Sequence, residues 1–168
     1  MGAAMIWAVI GTPDSGKSRE AERLCLELAG DGPRVYLATM IPYGSEGEAR
    51  ARRHRSARQG KGFITMEVPY DLASILPGLE RPSETTVLLE CLSNLVANEM
   101  FERQIRDPRQ LDRTIRQELL TLDRSVKHLV VVSNHFEKTG DGETDAYIEA
   151  QDRANLWLAS MSRKVILL

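Results

Sequence analysis

The sequence predicts an α/β protein: a mostly parallel sheet with helices on both faces. Two observations carry this. Short runs dense in Val, Ile and Leu alternate with amphipathic or polar stretches of helical length. Nearly continuous apolar runs mark strands covered on both faces, and strand–helix alternation marks a layered parallel sheet. A third observation narrows the class. Gly11-Thr12-Pro13-Asp14-Ser15-Gly16-Lys17-Ser18 reads G-x-x-x-x-G-K-S directly after an apolar run and directly before a helical pattern. That context makes a glycine-rich turn a P-loop, and the fold one of the RecA/Rossmann-like P-loop kind.

The elements follow in order. Strands are expected at Met5–Ile10, Val35–Ala38, Thr86–Leu89, Leu129–Ser133 and Val165–Leu168. Helices are expected at Ser18–Leu28, Glu46–Arg58, Leu92–Phe101, Pro108–Val126 and Thr144–Met161. In Pro108–Val126 the residues Leu111, Ile115, Leu119, Leu122 and Val126 recur at three- and four-residue steps after an Asp107-Pro108 start. That is one apolar face with a capped beginning. Lys138–Glu143 is a polar, glycine-containing loop.

Composition sets further bounds. The 168 residues suit one domain spanning 1–168. A formal net charge of −2 gives no global electrostatic case for nucleic acid. Cys25 and Cys91 lack metal-type spacing and read as buried free thiols of a reducing compartment. The first apolar run ends in the P-loop and reads as a strand rather than a signal peptide. No stretch approaches the roughly 20 apolar residues of a membrane span. A cytoplasmic location is the expectation.

The P-loop sets the chemistry. Its backbone N–H groups and the following helix N-terminus face bound phosphate. Lys17 reaches the β- and γ-phosphates of ATP or GTP, and Ser18 holds Mg²⁺. The metal also needs an acid at the end of a neighbouring strand, which Glu90 supplies after Val87-Leu88-Leu89. A helix-capping or surface role for Glu90 is the competing reading.

The segment Glu46–Lys61 carries Arg50, Arg52, Arg53, Arg55, Arg58 and Lys61 around His54. As a helix it places Arg50, His54 and Arg58 on one face. Arginine forks suit polyphosphate. Like charge lowers a histidine pKa, and a neutral imidazole is a nucleophile. From composition alone a solvated charged face is the favoured reading of the segment. RNA binding is disfavoured, because no aromatics are interleaved for base stacking. His128 reads as structural, and His135, at a strand end, stays open.

Six ordered blocks together resemble one family. They are Gly11–Ser18 with Arg19 and Ala21-Glu22; Tyr36-Leu37-Ala38-Thr39; Glu46, Arg50 and His54-Arg55; Leu88-Leu89-Glu90-Cys91-Leu92 with Asn98; Val131-Val132-Ser133-Asn134; and Arg153-Ala154-Asn155. The set is similar to the bifunctional adenosylcobinamide kinase / adenosylcobinamide-phosphate guanylyltransferases of cobalamin assembly. The resemblance implies phosphorylation of the aminopropanol hydroxyl of adenosylcobinamide, then transfer of GMP from GTP through a guanylyl-histidine. It makes His54 the nucleophile and Lys17 the phosphoryl-transfer lysine. It gives Arg50 and Arg55 the developing charge on pyrophosphate. It also implies a homo-oligomer.

The chain departs from the family pattern between His135 and Glu143. The usual glutamate is His135 there, and an Ile-Val-Pro turn is absent. Gly47 stands where methionine is usual. Two other readings therefore stand beside the first. One is a small-molecule kinase of the same pathway with an altered alcohol substrate and no guanylyl transfer. The other is a non-catalytic nucleotide-binding protein.

Overall fold

The computed structural model describes residues 6–168, with every side chain except that of Ala57. Met5, expected to open the first strand, lies outside the described residues. Six strands form one sheet: β1 (Ile6–Gly11), β2 (Arg34–Ala38), β3 (Phe63–Glu67), β4 (Thr86–Glu90), β5 (His128–Asn134) and β6 (Ser162–Leu167). Their order is β3-β2-β4-β5-β1-β6, and every neighbouring pair is parallel. The helices are α1 (Lys17–Ala29), α2 (Gly44–Arg58), α3 (Leu92–Ala97), α4 (Pro108–Ser125) and α5 (Gly142–Met161). The expected α/β P-loop architecture is therefore the one observed.

The apolar strands are buried because both faces are covered. Ile6, Ala8 and Ile10 of β1 join one core cluster with residues of α3, α4 and α5. Val9 joins a second with Ala21, Leu24 and Cys25 of α1. The period of two along a strand divides the residues this way. All five residues of the expected α4 face are buried, each contributing about 1.5–3 kcal/mol. The Asp107 side chain accepts from Gln110 N at 3.3 Å, so the start signal is a genuine cap. Both cysteines are buried and free, as expected.

Beyond shifts of one or two residues at element ends, the structure departs from expectation in four places. β3 was not foreseen. It is a short edge strand whose Ile64 is exposed, so it carries no sustained apolar run. β6 begins at Ser162, because α5 runs into it without a linker and its polar start Ser162-Arg163-Lys164 masks an edge strand. The expected helix Leu92–Phe101 is α-helical only to Ala97 and continues as a π-helical turn, Asn98–Glu102. Between β3 and β4 two 3₁₀ turns, Leu72–Gly78 and Pro82–Glu84, replace a crossover α-helix, and the first buries Leu72 and Ile75.

The α2 helix is held differently from the others. Its described side chains bury no apolar residue. Its anchors are polar. Arg58 lies over the Tyr36 ring, its guanidinium carbon 3.3 Å from the centroid. Arg55 Nη1 lies 3.7 Å from Glu67 Oε1. Just past the helix, Lys61 Nζ donates to Glu22 Oε2 at 2.8 Å.

A buried carboxyl pair ties the π-helical turn to α4. Glu99 is fully buried, and Glu118 Oε1 accepts from Leu72 N at 3.1 Å. Burial first, then Glu99, raises the Glu118 pKa from 4.5 to about 8. The folded carboxyl thus keeps a proton that the unfolded chain releases. Its contribution to stability is complete below pH 4.5 and is lost as pH rises toward 8, at up to about 1.4 kcal/mol per pH unit. Glu118→Gln keeps the acceptor for Leu72 N and removes the titration. Urea melts between pH 5 and 9 should show a shallower loss of stability for the variant; identical slopes would rule the account out.

Candidate active site

Parallel pairing brings every strand's carboxyl end to one edge of the sheet, where ligands bind in open α/β sheets. In register, Gly11 pairs with Asn134, and Ala38 with Glu90. The loop Gly11–Ser18 leaves β1 at this edge and opens α1. A Cβ on Gly11 would meet Ser15 Oγ at 2.6 Å and the Leu168 carbonyl oxygen at 3.0 Å, so a side chain there would force its neighbours to shift. Gly16 has φ 86°, a left-handed conformation that favours glycine. Asp14 shares that region at φ 60°. Lys17 is buried and donates to the Thr12 carbonyl at 3.2 Å, folded back across the loop.

Ser18 and Glu90 meet at the end of β4. Ser18 Oγ donates to Glu90 Oε1, and Oε2 is buried without a hydrogen-bond partner. Burial raises the Glu90 pKa, and the Ser18 contact partly offsets this. A hydroxyl beside a carboxyl with one idle buried oxygen fits a hard cation such as Mg²⁺. No group of three His, Cys, Asp or Glu able to hold a metal occurs among the described residues. A Mg²⁺ here would thus complete its shell with phosphate oxygens and water.

A cleft of about 700 Å³, measured to its open mouth, extends from Lys17, Ser18 and Glu90 to α2. Arg50, His54, Arg55 and Arg58 line its other side. His54 is half-buried, with Nδ1 3.5 Å from the Tyr36 hydroxyl. Its pKa is lowered, by burial first and then by Arg50 and Arg58, with Glu22 opposing. The imidazole is therefore neutral near pH 7.

The basic segment divides by direction. Arg50 and Arg55 reach the cleft, whereas Arg52 and Arg53 are exposed and do not line it. Lys61 is engaged with Glu22. Arg58 was placed on the Arg50–His54 face by spacing but not among the candidate site residues. It is 5% exposed, donates from Nη2 to Thr65 Oγ1 at 3.3 Å, and keeps Nε and Nη1 buried without partners. Tyr36, Asn94 and Asn134 also line the cleft. Asn134 ends β5 and Asn94 follows the end of β4, which is the signal that could have found them; Tyr36 sits in the middle of β2 and gave none.

Other singled-out residues support the frame. Thr39 Oγ1 donates to the Cys91 carbonyl at 2.9 Å, and Asn98 Nδ2 donates to the carbonyls of Thr39 and Pro69 at 2.7 and 2.8 Å. Asn155 Nδ2 donates to the Asn134 carbonyl at 3.0 Å. Arg153 Nε donates to Asp112 Oδ2 at 3.0 Å. His135 is exposed, 3.9 Å from Asp152, and does not line the cleft. His128 opens β5, and burial lowers its pKa. No helix among the described residues is long and apolar enough to cross a membrane.

Solved structures resemble the chain in fold, and a family profile matches its sequence. A subunit described as a unique ATP synthase subunit, NeqB, from Nanoarcheaum equitans aligns with TM-score 0.58 at 12% identity, over 99% of this chain and 46% of its own. The chain thus spans about half of that subunit. A KaiC-like protein from the hyperthermophilic archaeon Pyrococcus horikoshii aligns with TM-score 0.51 at 12% identity, over 98% of this chain and 70% of its own. At such identity these likenesses concern the fold alone. No curated protein matches significantly in sequence. The sequence profile described as cobinamide kinase / cobinamide phosphate guanyltransferase matches residues 7–168. With its P-loop, its strand-end acid and its histidine-bearing helix on one cleft, the chain belongs to the cobinamide kinase / cobinamide phosphate guanyltransferase family.

Proposed function

We propose that this chain phosphorylates the aminopropanol hydroxyl of adenosylcobinamide and then transfers GMP to the product through a guanylyl-His54 intermediate. The observation that carries this reading is a neutral, half-buried histidine sharing one cleft with the P-loop lysine. For the first reaction, loop N–H groups and Lys17 bind the triphosphate of ATP or GTP. Lys17 exchanges its Thr12 carbonyl for phosphate oxygen and follows charge to the transferring group. Ser18 and Glu90 would hold Mg²⁺, which when bound supplies charge neutralisation between the β- and γ-phosphates.

For the second reaction, the His54 lone pair forms a bond to the α-phosphorus of GTP. The bond from that phosphorus to the bridging oxygen breaks, and its electron pair leaves with pyrophosphate. Arg50, Arg55 and Arg58 offer donors to the charge that develops. A phosphate oxygen of the phosphorylated cobinamide then attacks the bound phosphorus, and the N–P electron pair returns to His54.

GTP carrying an α-phosphate label tests the reading. An acid-labile protein adduct is expected on the wild type and absent from His54→Ala, whose phosphorylation activity falls less than about tenfold. Lys17→Ala should lower both reactions by at least about 100-fold. A folded, GTP-binding wild type that forms no adduct yet turns over a different alcohol would leave the kinase reading. Tight binding with no turnover would leave the non-catalytic one.

The pH dependence is a separate test. With the His54 pKa held below 6.5, adduct formation should be level at neutral pH and fall only on the acid side. Arg50→Gln removes a like charge, so the acid limb should move to higher pH. A limb that moves lower or stays in place would contradict the electrostatic assignment.

A further inference from the structure

An attacking imidazole needs its lone pair on the nitrogen facing phosphorus and its proton on the other. The contact at Nδ1 leaves Nε2 for attack, so Nδ1 must keep a hydrogen and donate it. The atom it meets is the Tyr36 hydroxyl oxygen, at 3.5 Å. That is the outer limit of a hydrogen bond, and such contacts tighten when substrate binds.

Tyr36 is built to hold that oxygen still. It is 3% exposed on β2, two residues before Ala38, which pairs with Glu90. The period of two sets Tyr36, Ala38, Leu88 and Glu90 on the same face. One ring face carries the Arg58 guanidinium at 3.3 Å, and Phe63 meets the ring edge-on at 82° and 6.3 Å. A phenolic hydroxyl has one hydrogen to give and lone pairs to receive another.

We propose that Tyr36 is the positioning residue of His54: its oxygen accepts Nδ1–H, and the imidazole is thereby held in the tautomer that presents Nε2 to phosphorus. The inference rests on the guanylyl-transfer reading of His54. No proton moves in the attack. Nε2 bonds to the α-phosphorus, the bond to pyrophosphate breaks, and Nδ1 keeps its hydrogen on Tyr36 while the ring carries positive charge. Without the hydroxyl, Nδ1 loses its acceptor and the proton distributes to Nε2, where it blocks attack.

Tyr36→Phe removes the oxygen and keeps the ring between Arg58 and Phe63. Two measurements decide. In ¹⁵N-histidine-labelled protein, with the His54 signals identified by their loss in His54→Gln, the wild type should show a protonated Nδ1 and a bare Nε2. The variant should show mixed tautomers. In single-turnover guanylylation, the variant's rate should fall roughly 10- to 100-fold, with GTP affinity within threefold of wild type. Unchanged tautomers, a rate within threefold of wild type, or a rate loss matched by lost GTP affinity would each overturn the proposal. A wild type that forms no adduct overturns the guanylyl-transfer reading instead. The nitrogen signals then still decide whether Tyr36 sets the tautomer.

Discussion

Parallel strand pairing is the constraint on which the rest of this structure depends. Six parallel strands end on one edge, so each connection must return across a face, and the helices after β1, β2, β4 and β5 begin near that edge. The central strands carry mostly apolar side chains on both faces. Polar groups therefore collect where the strands stop: Gly11 and its loop, Glu90 and Asn134. The chain's net charge of −2 conceals the result, because Lys17 and three α2 arginines face one cleft with only Glu67 and Glu90 as acids among its lining residues.

The two sides of that cleft are made by different forces. The P-loop side rests on β1 and α1, whose residues Val9, Ala21, Leu24 and Cys25 sit in a packed core. The α2 side rests on a stacked guanidinium and ion pairs. An exposed pair such as Arg55–Glu67 contributes roughly 0–1 kcal/mol, against about 1.5–3 kcal/mol for each buried aliphatic residue of α4. The wall that carries His54 is thus the less strongly held of the two. A helix fastened by such contacts can shift a side chain without disturbing the sheet.

What was legible in the sequence follows the same division. The P-loop is a local motif whose chemistry depends on spacing, so Gly11–Ser18 could be read directly. Glu90 could be read because the apolar run before it is a fully buried strand. The α4 face was visible as a helical period. β3 was not, because an edge strand with an exposed Ile64 needs no continuous apolar run, and its pairing with β2 is tertiary. The division of the basic segment was not legible either. Composition cannot tell Arg58, folded under the wall onto Tyr36, from Lys61, which pairs with Glu22 on α1. Tyr36 read only as part of a strand, because its role depends on a helix that crosses above it.

If α2 carries the nucleophile as proposed, the same arginines would act on His54 and on phosphate. Burial first, and then Arg50 and Arg58, disfavour a second positive charge on the imidazole. A bound nucleoside triphosphate would bring negative charge onto those guanidiniums. Their repulsion toward His54 would then weaken, and the ring could become positive as its N–P bond forms. A histidine on a neutral helix would keep only the effect of burial, which gives the arginines that reach the cleft beside His54 a chemical rationale within that reading.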